Sequence, residues 1–315
     1  MNAQGASFVL LVAFAVSLPA IPGWGQTTTT GSSAAAPVTQ DSASIPDFSG
    51  IWARLAWPGV EQPTSGPGPV TDRSPREGES DPYQPLVGDY TNPILKPAAA
   101  EIVKQHGEIS LRGIPYPTPS NQCWPGGVPF VFWNLGMQMI QQPGKITILY
   151  ANDYAYRQVR LNQPHPANVP PSWYGDSVGH YEGDTLVIDT VGVKVGPFAM
   201  LDMFGTPFTE ALHVVERYRL LDYEAVKEWN ERGQSEYRRG ERSDPGFTRN
   251  PGYKGEGLEL QFTVQDADVF TVPWSARIIY QRPLGDWPEM ICAENPHRYF
   301  PGKKATIPTA DRPDF

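Results

Sequence analysis

Residues 175–192 read GDSVGHYEGDTLVIDTVG, and residues 210–222 read EALHVVERYRLLD. Apolar and polar residues alternate on both sides of Glu182-Gly183-Asp184, and alternate again through the second block. Period-two alternation marks half-buried strands, and Gly183-Asp184 marks a tight turn between two of them. The reading is a run of long antiparallel strands ordered as a meander. In the second block Leu212, Val214, Glu216, Tyr218 and Leu220 share one face. His213, Val215, Arg217, Arg219 and Leu221 share the other. In the hairpin, Thr185, Val187 and Asp189 lie opposite Leu186, Ile188 and Thr190.

Working outward, strand signals recur at residues 137–142, 145–150, 156–161, 258–264, 276–281 and 289–293. Turn pairs such as Pro143-Gly144 and Asn152-Asp153 punctuate them. Gly50 and Trp52 sit in an apolar run at 45–53 that opens the domain. One short helix is expected at 96–106, with Pro97 in its first turn and Gly107 just past its end. Residues 223–257 read as a charged excursion, a short helix followed by an insertion. No repeat of about 20–50 residues is visible, which argues against a propeller or solenoid. The expected class is all-β: an antiparallel meander of about eight strands closing into a β-barrel, with a Pro-rich N-terminal arm and one or two short helices. Closure removes the exposed sheet edges.

Composition supports this. Of 315 residues, 34 are Pro and 30 Gly, as a loop-rich protein requires, and the net charge of −9 leaves no electrostatic footprint for nucleic acid. Residues 8–20 (FVLLVAFAVSLPA) form an apolar stretch followed by small residues, the pattern of a signal peptide ending near residue 26. It is shorter than the roughly 18–20 residues that span a bilayer, and no later segment reaches that length. Residues 27–44 (TTTTGSSAAAPVTQDSAS) are low-complexity and read as a tether to a single domain at 45–315. Export to the periplasm or beyond is the expectation. The two cysteines, Cys123 and Cys292, then form either a disulfide or two buried thiols.

Several residues carry potential chemistry. If the strands around 189 and 213 are neighbours, Asp189 can pair with Arg217 or hydrogen-bond His213 across the ladder. A carboxylate that orients an imidazole is what a general base needs. The plain alternative is a structural ion pair. His180, Glu182 and Asp184 lie at i, i+2 and i+4; His180 is a second candidate base, and the trio is a weak metal-ligand pattern that an ordinary exposed turn also explains. No metal is expected on that ground alone. Trp52, Trp173 and Phe204 lie at strand ends or in loops, where an aromatic ring can line a pocket, and Arg217 and Glu216 supply polar handles. A Gly-rich phosphate loop, a Gly-x-Ser-x-Gly elbow, His-Glu-x-x-His and Cys-x-x-Cys are all missing, so no cofactor is implied.

Gly50-Ile51-Trp52, Cys123-x-Pro-Gly-Gly-x-Pro129, QQPGKITILY at 141–150, GDSVGHYEGDTLVIDTVG, EALHVVERY and a late ICAEN occur in that order. This pattern resembles a family of secreted bacterial proteins of uncharacterised activity, and covers most of residues 46–295. The Gly-x-Trp also resembles the first strand of lipocalins, where the Trp plugs the closed end of the barrel. The resemblance implies an exported, lipocalin-like barrel. The leading functional expectation is a protein that binds a small apolar or aromatic molecule in the barrel mouth. The alternative is an acid–base enzyme on the same barrel (an isomerase, lyase or hydrolase) using His213 or His180.

Overall fold

The described residues form nine strands: β1 (Gly50–Arg54), β2 (Gly136–Gln142), β3 (Lys145–Tyr150), β4 (Tyr156–Leu161), β5 (Asp176–Glu182), β6 (Thr185–Val191), β7 (His213–Leu221), β8 (Gly257–Gln265) and β9 (Trp274–Gln281). They close into one barrel in sequence order, β1 pairing with both β2 and β9. The computed structural model describes residues 45–54, 60–73, 86–114, 116–133, 136–151, 155–238, 252–283 and 285, all within the unit Asp41–Phe315. The leader, the tether, the strand expected at 289–293 and Cys292 lie outside the described residues.

The expected all-β barrel is therefore the fold, with one addition. A closed ring with an odd number of strands cannot be antiparallel at every step. The exception falls at β4–β5, which pair in parallel over Val159–Leu161 and Ser177–Gly179. Parallel neighbours need a crossover, since a hairpin returns the chain antiparallel. Residues 162–175 supply it, along the outside of the wall.

Period-two alternation decides what the barrel encloses. On β6, Leu186, Ile188 and Thr190 are buried, and on β7 Val214, Glu216 and Tyr218 are buried, while Arg217 and Arg219 are exposed. Barrels of about this size are just wide enough for side chains to fill. Here Trp52, Met137, Met139, Ile146, Ile148, Tyr218 and Phe262 fill it, each at most 2% exposed. At the end where β1 begins, Trp52 donates from Nε1 to the Phe48 carbonyl at 2.8 Å. Arg282, just past β9, lies 3.6 Å from the Trp52 ring centre and donates to the Ser49 carbonyl at 2.7 Å. The opposite end is covered by a 3-10 turn, Phe130–Trp133, and by the loop joining β6 to β7. Trp133 donates from Nε1 to the Leu201 carbonyl there, and Leu201, Phe204 and Phe132 are buried.

Two helices lie outside the ring, α1 (Pro97–Leu111) and α2 (Tyr223–Arg238). α1 starts as expected at Pro97 but runs past Gly107 to Leu111. Gly107 is buried mid-helix because Val87 packs there; an added Cβ would lie 3.1 Å from Val87 Cγ1. The stop comes at Gly113, whose φ of +69° suits glycine. α2 fulfils the helix expected early in the charged excursion, whose residues 239–251 lie outside the described residues. Its Val226 packs on Ile279 of β9.

Candidate functional site

The outer wall from β4 to β7 gathers the histidine chemistry of the barrel. Asp176, Val191 and His213 stand in one row across β5, β6 and β7. Asp189 is one two-residue step along β6, on the same outward face. Arg160 at the end of β4 grips Asp176 with two prongs, Nη1–Oδ1 2.6 Å and Nη2–Oδ2 3.0 Å. His165 projects from the crossover between two prolines. Its Nδ1 lies 2.7 Å from Asp176 Oδ2 and its Nε2 3.2 Å from Asp189 Oδ1. His213 Nε2 meets that same Asp189 oxygen at 2.9 Å.

The result is an unbroken alternation of base and acid: Arg160, Asp176, His165, Asp189, His213. The hydrogen bond from Arg160 holds the Asp176 carboxyl below its usual range; partial burial opposes this, and His165 assists it. Carboxylate oxygens only accept, so both His165 contacts are hydrogen bonds together only when both ring nitrogens carry a proton. With Nε2 of His213 donating to Asp189, its Nδ1 is the acceptor nitrogen and has no partner among the described residues.

An aromatic cleft adjoins this chain. The crossover ends with Trp173 and Tyr174, which point opposite ways. Tyr174 stacks on Tyr150 in the barrel mouth, rings 5.8 Å apart and 7° from parallel. Trp173 faces outward, edge-on to Trp124 at 5.2 Å, and Trp124 is edge-on to Phe198 at 5.7 Å. Lys194 Nζ sits 4.8 Å from the Trp173 ring centre. Gly127 allows the close approach: at φ +68°, an added Cβ would stand 2.7 Å from the Trp173 carbonyl. The cleft is narrow, with a free volume of about 10 Å³, and Lys194 is its one charged wall residue among the described residues. Val193 forms part of its floor, two residues beyond Val191 in the Asp176–Val191–His213 row. Val191 pairs with His213, so the cleft begins two residues along the chain from the row that carries His213.

No family model, curated protein or solved structure matches the chain. The geometry therefore carries the functional reading alone.

The structure disperses the expected residues. His213 and Asp189 meet as the alternation allowed, but on the outer wall and not in the barrel mouth. Trp173 lines the cleft. Trp52 is fully buried beneath Arg282, and Phe204 is buried edge-on to Trp133 at 6.0 Å; neither reaches open space. Glu216 lies inside the barrel, gripped by Arg157 of β4, with Nη1 3.0 Å from Oε2. Arg157 also donates to Ser177 at 2.8 Å and Thr190 at 2.6 Å, and Tyr218 donates to Glu216 at 2.9 Å. Burial opposes the Arg157 charge, but Glu216 outweighs it and the guanidinium is held above its ordinary value. That network is satisfied and enclosed, and offers nothing to a ligand. At the β5–β6 turn, His180 Nε2 contacts Glu182 at 3.0 Å, Arg217 takes the other Glu182 oxygen, and Asp184 accepts from Thr185. Among the described residues no group of His, Cys, Asp or Glu is placed to hold a metal ion. Cys123 is disulfide-bonded.

From sequence alone His165, in Gln-Pro-His-Pro, reads as a rigid-loop residue that is either exposed or able to reach over a barrel mouth, and Arg160, Asp176, Arg157 and Lys194 carry no assigned role. The available signal was His165 itself, fixed between Pro164 and Pro166 at the entry to a segment too long for a hairpin.

Proposed function

We propose that this is an exported protein that binds a small molecule by a flat apolar or aromatic group, held in the outer cleft of Trp124, Trp173 and Phe198 with Lys194 beside it. The packed barrel interior is the reason to move the ligand from the mouth to the wall. The observation that carries the reading is the edge-on aromatic trio with one cation above it. Such a surface supplies stacking area, and the cation gives a preference for a ligand with an anionic edge. With about 10 Å³ of free volume, the cleft offers a ring an aromatic surface to lie against and not a cavity to enter. The apolar leader at 8–20 and the disulfide at Cys123 support export, since disulfides persist in oxidising compartments.

A second reading rests on the acid–base chain. His213, oriented through Nε2 by Asp189, presents Nδ1 as a general base next to the cleft, so that a bound molecule can be deprotonated there.

One titration tests both. Tryptophan fluorescence of the mature protein is followed with indole and with benzoate as probes, in wild type and in Trp173→Ala, Trp124→Ala and His213→Ala. Saturable quenching that weakens at least tenfold in both tryptophan variants is expected. Saturable quenching in wild type that persists undiminished in both would place the ligand elsewhere. Under the second reading His213→Ala keeps probe binding and loses turnover of a true substrate by orders of magnitude. Binding without any turnover difference in that variant returns the site to a purely binding role.

A further inference from the structure

A second groove opens on the barrel wall, away from the cleft and the acid–base chain, where β6, β7, β8 and β9 present their outward faces. It has a free volume of about 220 Å³ and is walled by Thr185, Arg217, Arg219, Glu259 and Gln261. The strand register explains the grouping. Val187, Arg217, Gln261 and Arg277 form one row across β6 to β9, and Arg219, Glu259 and Ile279 form the next. Arg217 and Arg219 are two residues apart on one face, so their side chains leave the wall about 7 Å from each other.

The free hydrogen-bonding capacity of the groove is almost all donor. Glu259 is buried, and both its oxygens are taken: Oε2 by Arg219 Nη2 at 3.0 Å and Oε1 by Arg277 Nη1 at 3.4 Å. The Glu182 oxygens are likewise taken, by Arg217 and His180. Thr185 donates to Asp184 at the rim. Arg217 and Arg219 each commit a single nitrogen to their carboxylates, and a guanidinium has five N–H donors. The remaining donors of both, together with the Gln261 amide, have no acceptor among the described residues. Trp229 of α2 lies 4.9 Å from the Arg277 guanidinium and holds it against the wall. The carboxylates thus fix the arginines in place, and the donors that remain face the groove as a preset fork.

We infer that this groove is a binding site for a polyatomic oxyanion, the phosphate, sulfate or carboxylate group of a small molecule, gripped between Arg217 and Arg219 with Gln261 completing the contact. It is independent of the cleft: either site can fail without the other.

The test uses the mature full chain at constant ionic strength, titrated with inorganic phosphate and separately with acetate. Backbone and arginine side-chain NMR shifts of wild type, Arg217→Gln, Arg219→Gln and Lys194→Gln are followed. Both arginines are about half exposed, so their substitution leaves the packed interior untouched. The expected result is saturable shifts centred on β7 and β8, weakened at least tenfold in Arg217→Gln and Arg219→Gln and unchanged in Lys194→Gln. Saturation by phosphate alone identifies a tetrahedral group, and by acetate alone a planar carboxylate. Either result sustains the inference. Shifts that rise linearly with both anions, or that survive in both arginine variants, overturn it.

Discussion

Two buried side chains of opposite chemistry face each other in their effect on stability. His106 of α1 is 2% exposed, neither ring nitrogen has a hydrogen-bond partner among the described residues, and burial pulls the imidazole down to about 4, against a smaller opposing effect of the Leu86 backbone. Asp202, 1% exposed in the β6–β7 loop, accepts from the Phe204 amide at 2.8 Å and the Thr206 amide at 3.2 Å through Oδ1, while Oδ2 has no partner among the described residues. Burial raises it to about 6 against those bonds. The folded pKa of His106 is depressed, so its contribution is full above about 6.5 and is lost as pH falls toward 4. That of Asp202 is raised, so its burden on the fold is full above about 6 and is relieved as pH falls toward 3.8. Each shift is worth about 3 kcal/mol, with opposite sign. Their combined effect between pH 4 and 6.5 is close to level. Asp202→Asn, which keeps the Oδ1 acceptor, should remove the compensation. Its urea-unfolding stability is expected to drop by about 3 kcal/mol relative to wild type as pH goes from 6.5 to 4. Parallel wild-type and variant profiles over that window would sink this account.

At the scale of elements, the join between β4 and β5 depends on side chains as much as on its ladder. The parallel ladder there is short, and three groups brace it: Arg157 to Ser177 inside, Arg160 to Asp176 outside, and His165 to Asp176 and Asp189 from the crossover. His165→Ala should speed amide exchange in residues 162–176 and alter Trp173 fluorescence, while exchange on β7 and β8 stays as in wild type. Unchanged exchange in the crossover would mean that Arg160 and the prolines hold it without the histidine. This join also marks how far the sequence could be read. The division of the β6 and β7 residues between two faces follows from period two and is as expected, but which face points inward does not follow from it. The His213–Asp189 meeting follows from the same periodicity once the two strands are neighbours. His165 was not legible because its partners stand 11 and 24 residues away. Arg157 and Glu216, 59 residues apart, were hidden similarly: a charged residue in an alternating strand reads as outward, and only ring closure shows that both point in. The end of α1 was misread at Gly107 because local propensity treats glycine as a stop, whereas Val87, brought in by the arm, requires a residue without Cβ there.

For the whole molecule, Cys123 is held in a disulfide. The other cysteine, Cys292, lies outside the described residues. A non-reducing peptide map of the mature protein should recover the Cys123 peptide linked to the Cys292 peptide, and Cys123→Ser should lower stability. In the chain-entropy view a loop of that length is worth up to about 5 kcal/mol, and commonly less. A map with Cys123 joined to a second copy would instead make the bond intermolecular. An unchanged melting temperature in the variant would remove it from the stability of the fold.

The strand ring behaves like a ring of spins that each prefer to oppose their neighbours. With nine members one bond is always frustrated, and no local rearrangement removes the mismatch; it can only be moved to another position. At the seam of β1 and β9 it would need no connection; placed between β4 and β5, which follow each other in the chain, it makes the chain lay a long connection over the wall. In this protein that connection carries His165 and Trp173, and the acid–base chain and the aromatic cleft are both built on it. A barrel of eight or ten strands would close without a defect, and would have no such strap on which to place either.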